Sequence, residues 1–151
     1  MNCRFAFAVH VLSVLALHPD EVYSSERLSE TVNTNAVVIR RLLLDLREAG
    51  LIETQRGPGG GAKLRHHPSE INLSQIHRAV IGPARPFGEH PNEPDQGCKV
   101  GREIKRVLED VATRAAQAVC REYETITLAD IVEQMDFPTA DFRIGKTAVT
   151  H

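Results

Sequence analysis

A mainly α-helical fold with one small β-hairpin is what this sequence predicts, and three observations carry the prediction. Apolar residues recur at helical spacing in two stretches, 35–49 and 100–120. Two strand-length pieces, Leu51–Gln55 and Ala62–Arg65, flank the glycine-rich run "QRGPGGGAKL". Turn-forming residues separate these segments, at Pro19-Asp20 and densely across 82–99. With 151 residues, 42% of them hydrophobic, the chain can build one globular core, or a small domain with an extension. A charged fraction of 25% argues against wholesale disorder.

Residues 4–17 are apolar on nearly every side, which predicts a helix buried within the domain and ended by Pro19-Asp20. Ser24-Ser25, followed by Glu26 and Leu28, opens a short second helix with a serine as N-cap. Val32-Asn33-Thr34-Asn35 reads as a turn, with Thr34 or Asn35 capping a third helix that runs to Ala49 and stops at Gly50. On that helix Ile39, Leu42, Leu43 and Leu46 define the core face, so Val37, Arg40, Arg41 and Leu44 project on the opposite side. Two outward arginines are what a solvated face looks like, and also what an anion contact looks like.

Pro68 closes the hairpin, and a helix over about Leu73–Ile81 ends at Gly82-Pro83. Residues 82–99 hold four of the eight prolines and read as a linker. Beyond it Val100, Ile104, Val107, Leu108, Val111, Ala115 and Val119 form one apolar stripe on a long amphipathic helix. So little chain remains to bury that stripe that a partner helix from a second copy is the economical solution. Thr127 caps a last short helix, Leu128–Met135. The predicted organisation is a domain over 1–81, a Pro/Gly-rich linker over 82–99, a dimerisation helix and terminal short helix over 100–136, and a loose tail over 137–151.

Several function classes fall away. The apolar stretch Phe5–Leu17 is too short for a membrane span and lacks a small-residue cleavage site, so a cytoplasmic protein with no membrane partner is expected. Cys3, Cys98 and Cys120 form no CxxC pair and no zinc spacing, so no metal site or cofactor is expected. The glycine run fails as a nucleotide cradle. Counted from Gly57, Ala62 stands where a P-loop needs glycine, and Leu64 stands where it needs Ser or Thr. GxGxxG fails at Ala62 too, and no helix follows to face an anion. The net charge of −2 hides an uneven distribution, because residues 35–65 carry a local balance of +3 and the rest of the chain −5. A locally basic segment fits a localised anion contact.

The order helix, helix, turn, outward-arginine helix, strand, glycine tip, strand is that of a winged helix-turn-helix. A recognition helix inserts its N-terminal side chains into the major groove. A glycine tip lets backbone approach a phosphate, and an arginine at its base suits the negative potential of a narrow minor groove. The stretch "VNTNAVVIRRLLLDLREAGLIETQRGPGGGAKL" resembles the Rrf family of bacterial winged-helix transcription regulators, with "RRLLLDLREAGLI" and "RGPGGG" specific in combination and the resemblance running from Arg4 to about Val119. The resemblance implies a recognition helix over Asn35–Ala49 and a wing whose Arg56 reaches the minor groove. Arg4, Ser24, Ser25, Thr34, Asn35, Val37, Arg40 and Arg41 would then join Gly57, Gly59, Gly60 and Lys63 of the wing in touching DNA.

Two departures from the family pattern stand out. Ala62 replaces the aromatic residue that often follows the wing glycines, and the segment before the long helix carries Cys98 alone where iron–sulfur members carry three cysteines. One thiolate cannot hold a cluster, so the chain is similar to the cluster-less, YwnA-like branch. Cys98, beside Lys99 and Arg102 at a helix start, is either a redox-sensing thiol or a small residue with no such role. Cys3 and Cys120 are expected to be packing residues. The reading is a non-enzymatic, homodimeric, sequence-specific DNA-binding regulator, a repressor on a pseudo-palindromic operator, with Cys98 as its thiol-sensing candidate. Its rivals are an iron–sulfur or other metal-dependent regulator of the same fold, a protein-interaction module, and a Cys98-dependent enzyme; no His or acid has a diagnostic spacing to that cysteine.

Overall fold

The computed structural model describes residues 2–135. Helix α1 (Arg4–Leu17) is followed by α2 (Ser25–Val32), α3 (Ala36–Glu48) and a hairpin of β1 (Ile52–Gln55) and β2 (Gly61–Leu64). A short 3-10 turn (Pro68–Glu70) leads into α4 (Leu73–Val80), the long α5 (Lys99–Glu124) and α6 (Leu128–Glu133). The architecture is mostly helical with one two-stranded antiparallel sheet, as the sequence predicts.

Local chemistry sets the boundaries. Ser24 Oγ accepts from the Arg27 N–H at 3.2 Å and starts α2. Asn33, in the left-handed conformation at φ 60°, ends it and turns the chain sharply. Asn35 Oδ1 accepts from the Val37 N–H at 2.7 Å and starts α3. Asn72 with Gln75, and Thr127 with Asp130, form reciprocal capping boxes at α4 and α6.

The core draws one face from each of these elements. Leu12 and Leu15 of α1, Leu28 of α2, Ile39, Leu42 and Leu46 of α3, Ile52 of β1 and Ile76 of α4 are all fully buried. Each such side chain contributes about 1.5–3 kcal/mol of burial. The core face of α3 predicted from its spacing is the observed one.

Two expectations are corrected. First, α1 is buried on one side only. Ala8, Val11, Leu12, Leu15 and Ala16 face the core, while Phe5, Val9, Val14 and Leu17 line an apolar groove of about 700 Å³ with Leu73, Ile131 and Met135. Second, the last short helix does not belong with the long one. After α5 the chain turns back: the Leu73 N–H donates to the Ile126 carbonyl at 2.9 Å, and the Leu128 N–H to the Ile71 carbonyl at 2.7 Å. Leu128 and Val132 of α6 are fully buried in the core formed by the first helices.

Helix α5 has no buried residue at all. Its C-terminal part is joined to the domain. Tyr123 stacks on Phe5 with ring centroids 5.3 Å apart and lies 5.6 Å from His77, and Cys120 Sγ is 3.2 Å from Ser74 Oγ. Its N-terminal half carries the apolar stripe outward, with Val100 exposed to 65% and Val107 and Val111 to 43%. Residues 82–97 run as irregular chain beside this half, tied to it by Arg85–Glu109 at 3.9 Å and by a Glu93–Lys105 pair. The loose tail expected over 137–151 lies outside the described residues.

Candidate nucleic-acid interface

The α2–turn–α3 unit and the hairpin together present the residues singled out from the sequence. Because Ile39, Leu42 and Leu46 are fully buried, the opposite face of α3 is left to solvent. Val37 (50% exposed) and Leu44 (48% exposed) lie on it, with Arg40 and Arg41. The two arginines differ. Arg40 Nη2 donates to Glu26 Oε1 at 2.8 Å, whereas Arg41 makes no ion pair among the described residues. The hydrogen bond from Arg40 is the main reason the Glu26 carboxyl is held below its ordinary value.

The neighbouring polar groups are partly committed. Ser24 and Asn35 cap the helices through their side chains, and Ser25 Oγ donates to Glu26 Oε2 at 3.2 Å. Thr34 sits half-buried in the turn, its N–H donating to the Ser29 carbonyl at 3.0 Å.

The hairpin is in register with Ile52 opposite Leu64 and Gln55 opposite Gly61. A third chain segment joins it: the Tyr23 N–H donates to the Ala62 carbonyl at 3.0 Å, and the Ala62 N–H returns to the Tyr23 carbonyl at 2.8 Å. This bridge fixes the wing to the start of α2, and Ala62 is fully buried under it. The sequence signal for Tyr23 as a wing residue is slight, a Val22-Tyr23 pair of strand-forming residues just before the serine cap. The Arg27 guanidinium lies over the Tyr23 ring, 4.1 Å from its centroid, which adds an unforeseen cation beside the wing.

The wing glycines divide into two kinds. Gly57 (φ +88°) and Gly59 (φ +75°) are exposed with open space around them, so they serve the turn's conformation and leave backbone accessible. Gly60 and Gly61 serve the protein itself. A Cβ on Gly60 would stand 2.2 Å from the Gln55 carbonyl oxygen, and one on Gly61 would stand 2.3 Å from that of Tyr23. Gly60, expected as part of the DNA-facing tip, is therefore required by its own hairpin. Arg56 is exposed at the base of the tip and makes no ion pair among the described residues, while Lys63 pairs with Glu53 across the strands at 3.3 Å.

Arg4 is placed differently from the expectation. Its guanidinium pairs with Asp45 of α3, and its Nε donates to the Val80 carbonyl at 3.0 Å, so it clasps α1 to α3 and α4. Cys3, expected to pack, is exposed, while Cys120 is half-buried at the α4–α5 joint. Cys98 is the exposed N-cap of α5 and its side chain makes no capping bond. Cys98 and Cys120 are 22 residues apart along that helix, about 33 Å at 1.5 Å per residue. Cys98 and Cys120 of one chain therefore do not fit the same iron–sulfur cluster. Among the described residues no group of three or more His, Cys, Asp or Glu side chains is placed to hold a metal ion. Among the same residues no helix is long and apolar enough to cross a membrane.

Known proteins share this arrangement. Residues 1–134 match the family model Rrf2, described as an iron-dependent transcriptional regulator. YwnA of Bacillus subtilis, described as a candidate HTH-type transcriptional regulator, is 34% identical over 135 residues, covering 89% of this chain and 98% of its own. The slr0846 protein of Synechocystis, described in the same terms, is 33% identical over 132 residues, covering 87% of this chain and 86% of its own. Among solved structures, a candidate transcriptional regulator from Lactobacillus plantarum superposes with a TM-score of 0.74 at 27% identity, covering 87% of this chain and 88% of that one. CymR of B. subtilis, the global cysteine regulator, shares the fold with a TM-score of 0.66 at 23% identity, covering 90% of this chain and 98% of its own. Matched over residues 1–134 by that family model and over 89% of its length by YwnA, the chain belongs to the Rrf2 family of DNA-binding transcriptional regulators.

Proposed function

We propose that the chain acts as a homodimeric, sequence-specific repressor that lays α3 in the major groove and its wing in the adjacent minor groove. The observation that carries this reading is the pairing of two unsatisfied surfaces. One is cationic: Arg41 on the outer face of α3 and Arg56 at the wing base are exposed without acidic partners among the described residues. The other is apolar: α5 extends 26 residues and buries none of them. A second copy covering the stripe from Val100 to Val119 sets two recognition helices about a two-fold axis. The operator is then pseudo-palindromic, with half-sites about one helical turn apart or a multiple of it. Val37, Arg40 and Arg41 are its base-facing side chains, and Gly57 and Gly59 bring wing backbone to phosphates.

Fluorescence anisotropy with the DNA upstream of the chain's own gene tests the reading. Affinity should fall steeply between about 50 and 200 mM salt as phosphate contacts release counterions. A flat salt response refutes it.

The reading includes a thiol input at Cys98, supported by its exposure at the first turn of the dimer helix. Peroxide should weaken DNA binding by the wild type and leave Cys98→Ser unaffected. A serine variant that responds like the wild type removes the thiol from the mechanism.

A further inference from the structure

Among the acids exposed on α2 and α3, Glu26 is the one that engages an arginine of the outward face. Glu26 stands in the first turn of α2. It accepts from Arg40 at 2.8 Å and from the Ser25 hydroxyl at 3.2 Å, which ties together two helices and one of the hydroxyls on this face. Arg41, one residue along α3, has no such partner among the described residues. Two adjacent arginines therefore meet DNA in different electrostatic states.

The difference decides what each can recognise. A duplex of any sequence offers phosphates, and a free guanidinium gains from them through counterion release. Arg40, paired with an acid, gains less there, because Glu26 brings a negative charge towards the same phosphates. A guanine edge offers something else: two acceptors, O6 and N7, in a fixed geometry that rewards an aimed guanidinium. In the free protein the pair is solvated, with side chains 53% and 63% exposed, so it holds Arg40 loosely. Docking against a groove removes that water and strengthens the hold where aim matters.

Resting on the reading that α3 faces DNA, we infer that Glu26 is a specificity-determining residue: it neutralises and orients Arg40, withholding it from phosphates and reserving it for a guanine edge. Glu26 needs no DNA contact of its own for this. It acts through Arg40.

The test compares a mixed-sequence duplex with a duplex enriched from a random library by the wild-type protein, each titrated over a salt series. Glu26→Gln keeps the side chain's size and hydrogen-bonding capacity and removes its charge. It should tighten binding to the mixed duplex by about 3–10-fold and steepen the slope of log affinity against log salt by about 0.9. The preference for the enriched duplex should fall about tenfold. Arg40→Gln added to Glu26→Gln should restore the original slope, a reversal that a merely structural role for Glu26 would not produce. An unchanged slope and preference overturn the inference, as does equal weakening on both duplexes. If Arg41→Ala and Arg56→Ala are silent as well, the interface itself is wrong; if they weaken binding while Glu26→Gln is silent, only the role of Glu26 is.

Discussion

Gly61→Ala isolates the bridge that fixes the wing to the helix-turn-helix. The added methyl would stand 2.3 Å from the Tyr23 carbonyl oxygen and 2.7 Å from the Ser24 nitrogen, both backbone atoms that cannot rotate away. The bridge has to open, and with it go the two hydrogen bonds between Tyr23 and Ala62, at 3.0 and 2.8 Å. At about 1 kcal/mol each, and with Ala62 losing part of its burial, the loss comes to about 2–3 kcal/mol. For a chain of this size that lowers the melting temperature by roughly 4–12 °C.

Gly57→Ala is the control, because nothing lies within 4 Å of its Cβ position and only its φ of +88° is strained. That strain costs about 1 kcal/mol. Urea unfolding followed by circular dichroism reads both variants. If Gly61→Ala destabilises no more than Gly57→Ala, the bridge does not hold the wing and the steric argument fails.

Arg41→Ala should weaken operator binding by about 1–3 kcal/mol if the side chain reads a base, measured by anisotropy; unchanged affinity removes it from the interface. Val111→Asp places a charge in the exposed stripe of α5 and should shift sedimentation from dimer towards monomer while leaving the helical content of the DNA-binding part intact. Leu128→Ala should cost about 2–5 kcal/mol of stability, because α6 belongs to the core; a loss of dimer with no loss of stability would return it to the long helix. Glu26 is held low in the folded state, so its pairing with Arg40 is fully present above the ordinary glutamate range and is lost only as pH falls through the lowered value. Discrimination between enriched and mixed duplexes should therefore stay flat between about pH 6 and 8, read by competition anisotropy.

What the sequence made legible is what local chemistry decides. Ser24, Asn35 and Thr127 announce their helices because a cap is a hydrogen bond to a near neighbour. The face of α3 follows from spacing alone. The division of labour among the glycines was not legible, because the backbone that crowds Gly61 comes from Tyr23, on a segment distant in sequence. Arg4, expected at DNA from the resemblance, has its partners, Asp45 and the Val80 carbonyl, on α3 and at the end of α4, where the sequence carries no sign of them. Periodicity likewise found α1 apolar on nearly every side without saying which side has a neighbour, and adjacency in sequence grouped α6 with α5 over 100–136. Each miss is a non-local contact.

The joint between α5 and the winged helix has a geometric consequence. The Phe5–His77–Tyr123 aromatic group and the Ser74–Cys120 contact grip the helix near its C-terminal end. From the grip at Cys120 to its far end at Lys99 the helix runs 21 residues, about 32 Å. A tilt of about 6° at that fulcrum swings the far end by about 3.3 Å, close to the rise of one base step along a strand. In a dimer braced along these helices, a rotation at the joint would re-aim each winged helix relative to its twin, so the aromatic grip at Phe5, His77 and Tyr123 would set how the two recognition helices are spaced.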